Sequence, residues 1–228
     1  MNTLPDRNRA NHAALMDKVY RHQRHIYDLT RKYYLLGRDR LVKELDARPG
    51  ETIVEIGCGT ARNLIRIAKT YPDTKLYGLD ASTAMLRTAQ EAIARTGLSD
   101  RVVLAHALAE DLAPSLFALE RPFDHAIFSY SLSMIPDWRG AVRKAAQCVR
   151  PEGFIHVVDF GDLKTLWPLA NKALRAWLGV FHVRPRDELL SSLESDARNP
   201  EHRTLRIWPG RYAFVLKIRP AAIQDLSG

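Results

Sequence analysis

Two rhythms of apolar residues alternate along this chain. Short, nearly continuous apolar runs at 52–56, 75–80, 102–106, 123–130 and 154–160 read as buried strands. Between them, 61–70, 84–96 and 138–148 place apolar residues every three or four positions, the spacing of a helix with one buried face. The punctuation agrees. Pro72-Asp73 and Arg150-Pro151-Glu152-Gly153 are turn sequences, Ser82 offers an N-cap, and Gly97 ends a helix. A short or irregular helix is expected around 113–119. Amphipathic helices follow at 166–178 and 186–194, and a hairpin of 203–208 and 212–218 turns at Pro209-Gly210. Residues 10–46 read as two or three helical pieces, with a break or a helix start at Gly37.

Strands alternating with helices predict an α/β fold, a parallel sheet covered on both faces, with ligands beyond the carboxyl ends of the strands. The stretch Thr52–Asn63, TIVEIGCGTARN, marks where. An apolar strand carries the acid Glu55, turns through Gly57 and Gly59, and gives way to a helix. About twenty residues on, the next strand closes with Asp80. Glycine permits the sharp turn and close approach of a ligand, the helix start offers unpaired N–H groups, and a strand-end carboxylate can accept two ribose hydroxyls. Dinucleotide enzymes need a third glycine where this chain has Arg62, which argues against NAD.

The E-x-G-x-G form resembles the first motif of class I S-adenosylmethionine (SAM) methyltransferases, and the resemblance covers residues 50–160 well. It implies a Rossmann-like class I methyltransferase fold: a seven-stranded, mostly parallel sheet with an antiparallel C-terminal hairpin and an N-terminal helical lid. SAM is the implied cofactor. The glycine turn with Glu55, Gly57, Cys58 and Gly59 would pass the methionine moiety, and Asp80 would hold the ribose. The stretch Ala81-Ser82-Thr83-Ala84-Met85-Leu86 looks like the family's D-x-S-x-x-M-L segment, with Ala81 and Met85 beside the adenosine. Where the family shows G-D-A-E-D-L, this chain has Ala107-Leu108-Ala109-Glu110-Asp111-Leu112, so adenine recognition falls to backbone at Leu108 and Ala109. A further departure is Ala61 in place of glycine. Ser129 and Tyr130, at the end of the fourth strand run, resemble the small motif of methyltransferases acting on small molecules and lipids, and lack an Asn/Asp-Pro-Pro-Tyr sequence.

At 228 residues and 46% hydrophobic content the chain can bury a substantial core. No apolar run is long enough to span a bilayer, and the N-terminus has no signal-peptide block, which points to the cytoplasm. Cys58 and Cys148 lack metal-type spacing and read as reduced thiols; no metal site is expected. The net charge of +8 changes the picture by favouring nucleic acid or anionic lipid as a partner. No RNA-binding module is recognisable, so nucleic acid is not expected.

The charge gathers in a segment that also carries functional side chains: Tyr20, His25, Tyr27, Asp28, Arg31, Tyr33, Tyr34, Gly37, Arg38 and Asp39. It looks like the lid of quinone and lipid methyltransferases. With Val158-Asp159-Phe160-Gly161-Asp162, Phe181–Arg186 and Pro209-Gly210-Arg211-Tyr212, the string resembles bacterial methyltransferases of betaine-lipid synthesis. That resemblance implies three SAM-dependent methylations of the amine of diacylglyceryl-homoserine at the inner face of the membrane. Residues 1–48 would form the lid and membrane-contact segment, and 49–228 the SAM-binding domain. Tyr20 and Arg31 would reach the cofactor. Tyr27, Asp28 and Tyr130 are the catalytic candidates, and Tyr20, Arg206 and Arg211 the substrate-binding ones, because arginine clamps a carboxylate and tyrosine faces attract an ammonium. The helix after the fifth strand, with Trp167, Lys172, Arg175, Trp177 and Phe181, can lie in a membrane interface. Rival readings are a phosphatidylethanolamine N-methyltransferase, a small-molecule or RNA methyltransferase, and a SAM-binding protein without catalysis.

Overall fold

The computed structural model describes residues 35–180, 187–195 and 203–223. Its elements run α1 (Arg38–Lys43), β1 (Thr52–Ile56), α2 (Arg62–Thr70), β2 (Lys75–Asp80), α3 (Thr83–Arg95), β3 (Val102–His106), β4 (Phe123–Ser129), α4 (Trp138–Cys148), β5 (Val149–Phe160), α5 (Pro168–Val180), α6 (Asp187–Ser195), β6 (Arg203–Ile207) and β7 (Ala213–Ile218). The strands form one seven-stranded sheet in the order β3-β2-β1-β4-β5-β7-β6. β1 to β5 are parallel, and β7 runs antiparallel between β5 and β6. The order reverses between β1 and β4, which opens a crevice at their carboxyl ends.

Strand alternation divides the core. Val54, Ile56, Phe123 and Phe128 pack one face with Trp138 and Ala141 of α4. Ile53, Ile127 and Val158 pack the other with Leu64 and Ile67 of α2. Leu41, Val42 and Leu45 are buried in that second cluster, so the described end of the proposed lid is integral to the core. The Tyr71 hydroxyl donates to the Val42 carbonyl at 2.9 Å and ties α1 to the end of α2.

Departures from the expected elements have local causes. The short or irregular helix expected at 113–119 is a 3-10 helix at Pro114–Phe117, closed by Ala118 at φ 54°, and a further 3-10 turn at Ala109–Asp111 precedes it. β5 begins at Val149 because Val149 pairs with Phe123, and the register shifts before His125. The Arg150–Gly153 turn is thereby folded into the strand as an irregularity. Gly153 is required there, since a Cβ would stand 2.4 Å from the Asp124 carbonyl. Gly37, at φ 86°, starts α1, and a Cβ there would stand 3.0 Å from Val215, 3.1 Å from Trp208 and 3.2 Å from Val158.

At the amino edge of the sheet, away from the crevice, a polar network runs from a buried histidine pair to a half-exposed arginine. Asp124 accepts from both the backbone N–H and the hydroxyl of Thr52, each at 2.8 Å, and pairs with Arg150 at 2.7 Å. Glu51 lies 2.9 Å from His125 Nε2, and His125 Nδ1 lies 3.1 Å from His156 Nε2. Burial holds the His156 pKa well below the ordinary value, so its ring is neutral. Among the described residues, no helix is long and apolar enough to cross a membrane.

Candidate functional site

The glycine turn leaves β1 and is pinned to the end of β2. The N–H groups of Gly57 and Cys58 both donate to the Leu79 carbonyl, at 2.7 and 3.0 Å. Gly57 has φ 75°, and a Cβ on it would meet Ser131 Cβ at 2.6 Å, so the turn and the loop after β4 touch backbone to side chain. Gly59 faces open space, with nothing within 4 Å of its Cβ position. Its N–H donates to Asp80 Oδ2 at 2.8 Å, and the Ser82 N–H donates to Asp80 Oδ1 at 2.9 Å. Asp80 thus locks the two loops that flank the crevice. Ala61 takes the left-handed conformation, φ 60°, that starts α2. This is a costly place for a Cβ, and the family's glycine would occupy it without strain.

These loops surround a cleft of about 630 Å³, counted out to its solvent mouth. Gly57, Gly59 and Asp80 form one wall, Met85 and Ala109 another, and Ser129, Tyr130 and Met134 the third. Ser129 Oγ, on a lining residue, is buried without a hydrogen-bond partner, as is Glu55 Oε2, although Glu55 does not itself line the cleft. Glu55 accepts from Asn63 Nδ2 at 2.7 Å through its other oxygen, and burial pushes its pKa up to about 8. A cradle that excludes a Cβ at Gly57, open backbone at Gly59, a strand-end acid at Asp80 and the unpartnered Ser129 hydroxyl oxygen fit SAM.

Sequence-predicted residues separate into groups here. Gly57, Gly59, Asp80, Ala81, Met85, Ala109, Ser129 and Tyr130 line one cleft. Leu108 stands between lining residues Ala107 and Ala109 and is not itself among them. Cys58 is buried and points into the core toward Leu64, where Gly78 makes room for its sulfur; burial raises its pKa further, so the thiol is inert. Tyr130 departs from the catalytic role expected of it. Its backbone is at φ 56°, and its hydroxyl donates to the Leu36 carbonyl at 2.6 Å. Burial raises its pKa well above the ordinary value, which makes it an anchor for the segment entering α1. Arg211 is likewise engaged, donating to both oxygens of the buried Asp162 at 2.7 and 3.0 Å, and Arg206 pairs with Glu44 at 3.3 Å. Neither lines the cleft, so the carboxylate clamp expected of them is not assembled there. Tyr20, His25, Tyr27, Asp28 and Arg31 lie outside the described residues.

Asp159 and Asp162 carry functions that the sequence reading passed over. Asp159 is buried at the end of β5, accepts from the Ser133 N–H at 3.0 Å, and so fixes the loop that forms the third wall; burial pushes its pKa up to about 6. Asp162 anchors the start of α5, where its carbonyl accepts from Arg175 at 2.9 Å. The signal available was two acids inside the apolar run VVDFGD.

Residues 54–155 match the family model described as a methyltransferase domain, a span that holds the glycine turn, Asp80 and the end of β4. Residues 54–155 form a SAM-dependent methyltransferase domain. Among curated relatives, the demethylmenaquinone methyltransferase of Desulfitobacterium hafniense is 30% identical over 153 residues, 62% of this chain and 59% of that protein. The 27-O-demethylrifamycin SV methyltransferase of Amycolatopsis mediterranei is 32% identical over 171 residues, 72% and 59%. The chain therefore spans a little under two thirds of the length of each of these two relatives. An O-methyltransferase family protein from Burkholderia thailandensis shares the fold at TM-score 0.63 and 17% identity, covering 88% of this chain and 61% of that one. With the methyltransferase domain placed in a seven-stranded sheet, SAM is its cofactor.

Proposed function

We propose that the chain transfers the SAM methyl group to the amine of an amphipathic lipid, diacylglyceryl-homoserine, in three rounds that yield its N,N,N-trimethyl form. The observation that carries methyl transfer is the cleft itself: Gly57, Gly59 and Asp80 on one side, and the Ser129–Met134 wall within reach on the other. SAM supplies an electrophilic methyl group on a sulfonium. The chain's task is alignment and exclusion of water. Asp80 fixes the two flanking loops, Asp159 fixes the third wall, and Tyr130 holds the segment that enters α1. Among the described residues, Tyr130 lines the cleft with its pKa raised by burial well above the ordinary value, so its hydroxyl is no base at neutral pH. An amine acceptor suits such a wall once it has given its proton to solvent: the free lone pair forms the N–C bond as the S–C bond breaks, the sulfonium leaves as a neutral thioether, and the new ammonium gives a proton to solvent before the next round. The lipid head group is supported by the resemblance of the N-terminal and C-terminal strings to betaine-lipid methyltransferases.

A second reading has its own observation. The two relatives described above are named for acceptors of another kind, demethylmenaquinone and 27-O-demethylrifamycin SV. A large apolar acceptor methylated on carbon or oxygen is the alternative. Expression in a host whose membranes contain diacylglyceryl-homoserine, phosphatidylethanolamine and demethylmenaquinone, followed by lipid mass spectrometry, separates the readings. Homoserine lipids carrying one, two and three added methyl groups are expected. Methylated quinone with unmodified homoserine lipid would overturn the amine reading, and methylated phosphatidylethanolamine would reassign the head group.

A further inference from the structure

Large apolar side chains are exposed at the edge of the sheet where the cofactor cleft opens. Trp167 is 73% exposed and Leu169 68%, at the foot of α5, and Trp177 on the same helix is 40% exposed. Along α5, the exposed positions Leu169, Lys172, Ala173, Ala176 and Trp177 recur at helical spacing, so they form one stripe. The helix turns Leu178 inward to full burial. A helix whose outward face carries tryptophan and leucine, with its own core already supplied by Leu174 and Leu178, has apolar surface left over.

The placement of that face is fixed by contacts at the carboxyl edge. β5 ends at Phe160, and the Gly161 and Leu163 N–H groups donate to Tyr212 and Arg211 carbonyls in the β6–β7 connection. Leu166 packs so closely on Gly210 that a Cβ there would stand 3.0 Å from it. Trp167 therefore projects beside the β6–β7 turn. Ile207, 36% exposed, ends β6 on the same edge, and Leu36, 41% exposed, is bound to Tyr130 just past β4. Five of the seven exposed large hydrophobics belong to α5 or to this edge; Val103 and Leu116 are the others among the described residues. Lys172 lies within the stripe, and the half-exposed Lys164, paired with Asp162 at 3.3 Å, stands before it.

We propose that this face is a docking surface for an anionic lipid bilayer, with α5 lying in the interface and the cleft opening toward the head groups. The proposal rests on the lipid-acceptor reading above and names the partner that delivers the acceptor. Tryptophan, leucine and lysine are the residues that an interfacial helix uses, the rings and aliphatic groups entering the acyl boundary and the ammonium groups staying at the phosphates. Charge complementarity selects the occupant. A chain of net charge +8 is drawn to an anionic surface, whereas a second copy carries the same charge and is repelled.

The test uses the full chain and vesicles of phosphatidylcholine with phosphatidylglycerol, which contain no homoserine lipid. Co-sedimentation is expected with these vesicles and is expected to weaken when salt rises or when phosphatidylglycerol is left out. Quenching of tryptophan emission by bromine-labelled acyl chains is expected to place Trp167 at the acyl boundary. The paired substitution Trp167→Ser with Leu169→Ser is expected to lower partitioning by at least about tenfold, since each removes most of a side chain that would be buried. SAM affinity by calorimetry should stay unchanged in that variant, as neither residue lines the cleft. Equal vesicle binding by wild type and variant would overturn the proposal. So would concentration-dependent dimerisation abolished by the variant without vesicle binding, which assigns the face to a second copy. Blue-shifted, unquenched emission without vesicles would assign it to the chain's own N-terminal segment. Vesicle binding without methylation of homoserine lipid would reject the acceptor alone, so the two readings fail separately.

Discussion

Glu55→Gln separates the stability of the cleft from its chemistry. Glu55 is fully buried at the end of β1, with one oxygen accepting from Asn63 and the other unpartnered. Burial raises its pKa from an ordinary 4.5 to about 8. Below pH 4.5 folded and unfolded chains are both protonated there, and Glu55 places no charge in the core. As pH rises from 4.5 the unfolded chain ionises first, so stability falls until the folded chain also ionises near pH 8. At pH 7 the loss amounts to about 3 kcal/mol, from the gap between pH 7 and 4.5 at 1.36 kcal/mol per pH unit. Glutamine has the shape and hydrogen-bonding pattern of the protonated acid but cannot ionise when unfolded. The variant should therefore gain about 3 kcal/mol at pH 7, a rise in midpoint of roughly 5–10 °C for a chain of this size. Urea unfolding at half-unit steps from pH 4.5 to 8.5 is the assay. Wild-type stability should decline across that window, and the difference between the proteins should grow from near zero at the acid end to its limit near pH 8. Parallel curves, offset or superposed, would refute the reasoning, because they would mean that Glu55 has the same proton affinity folded and unfolded.

Gly57→Ala would force a Cβ to within 2.6 Å of Ser131 Cβ at a φ of 75°; calorimetry should find SAM binding abolished and the fold weakened by about 2 kcal/mol or more. Asp80→Asn leaves one carbonyl oxygen for the two backbone donors at Gly59 and Ser82, and SAM affinity should fall at least about tenfold. Tyr130→Phe removes a buried donor from the Leu36 carbonyl; it should cost about 1 kcal/mol in unfolding while the pH–rate profile keeps its shape, and a lost ionisation in that profile would restore a catalytic role. Asp162→Asn breaks the buried pair with Arg211, at about 2–3 kcal/mol once the partial exposure of Arg211 is allowed for. Since its arginine and backbone donors hold the Asp162 pKa below 3.8, that stabilisation is complete above pH 3.8 and is lost as pH falls through the folded value, so the stability gap should close in acid and acid unfolding should begin at higher pH in the variant than in wild type.

The periodic parts of the chain were legible because one physical rule decided them. Runs such as Thr52–Ile56 and Val102–His106 have the bounds expected from apolar runs between turn residues, and Trp138–Cys148 those expected from a single buried helix face. The crevice residues were legible for the same reason: a glycine turn and a strand-end acid are local, and parallel topology brings them together. What was not legible depends on partners distant in sequence. Glu51 meets His125 across 74 positions, and Tyr130 meets Leu36 across 94. Arg211 read as an available clamp until Asp162, 49 positions away, was seen to occupy it. The 3-10 turn at Ala109–Asp111 was not expected, because neither apolar spacing nor a capping residue marks it.

The Asp124 and Glu51–His125–His156 network lies at the amino edge of strands whose carboxyl edge bears the cleft. The strands between are rigid spacers, so the two ends answer to different selection. Substitutions that retune heat or acid tolerance can accumulate at the histidine end without disturbing the geometry of transfer. Loops at the other end can change in length and chemistry while the sheet stays sealed beneath them. Such a division lets one scaffold pass through many acceptor preferences during divergence, and it recommends the amino edge to anyone wishing to harden the protein without retraining it.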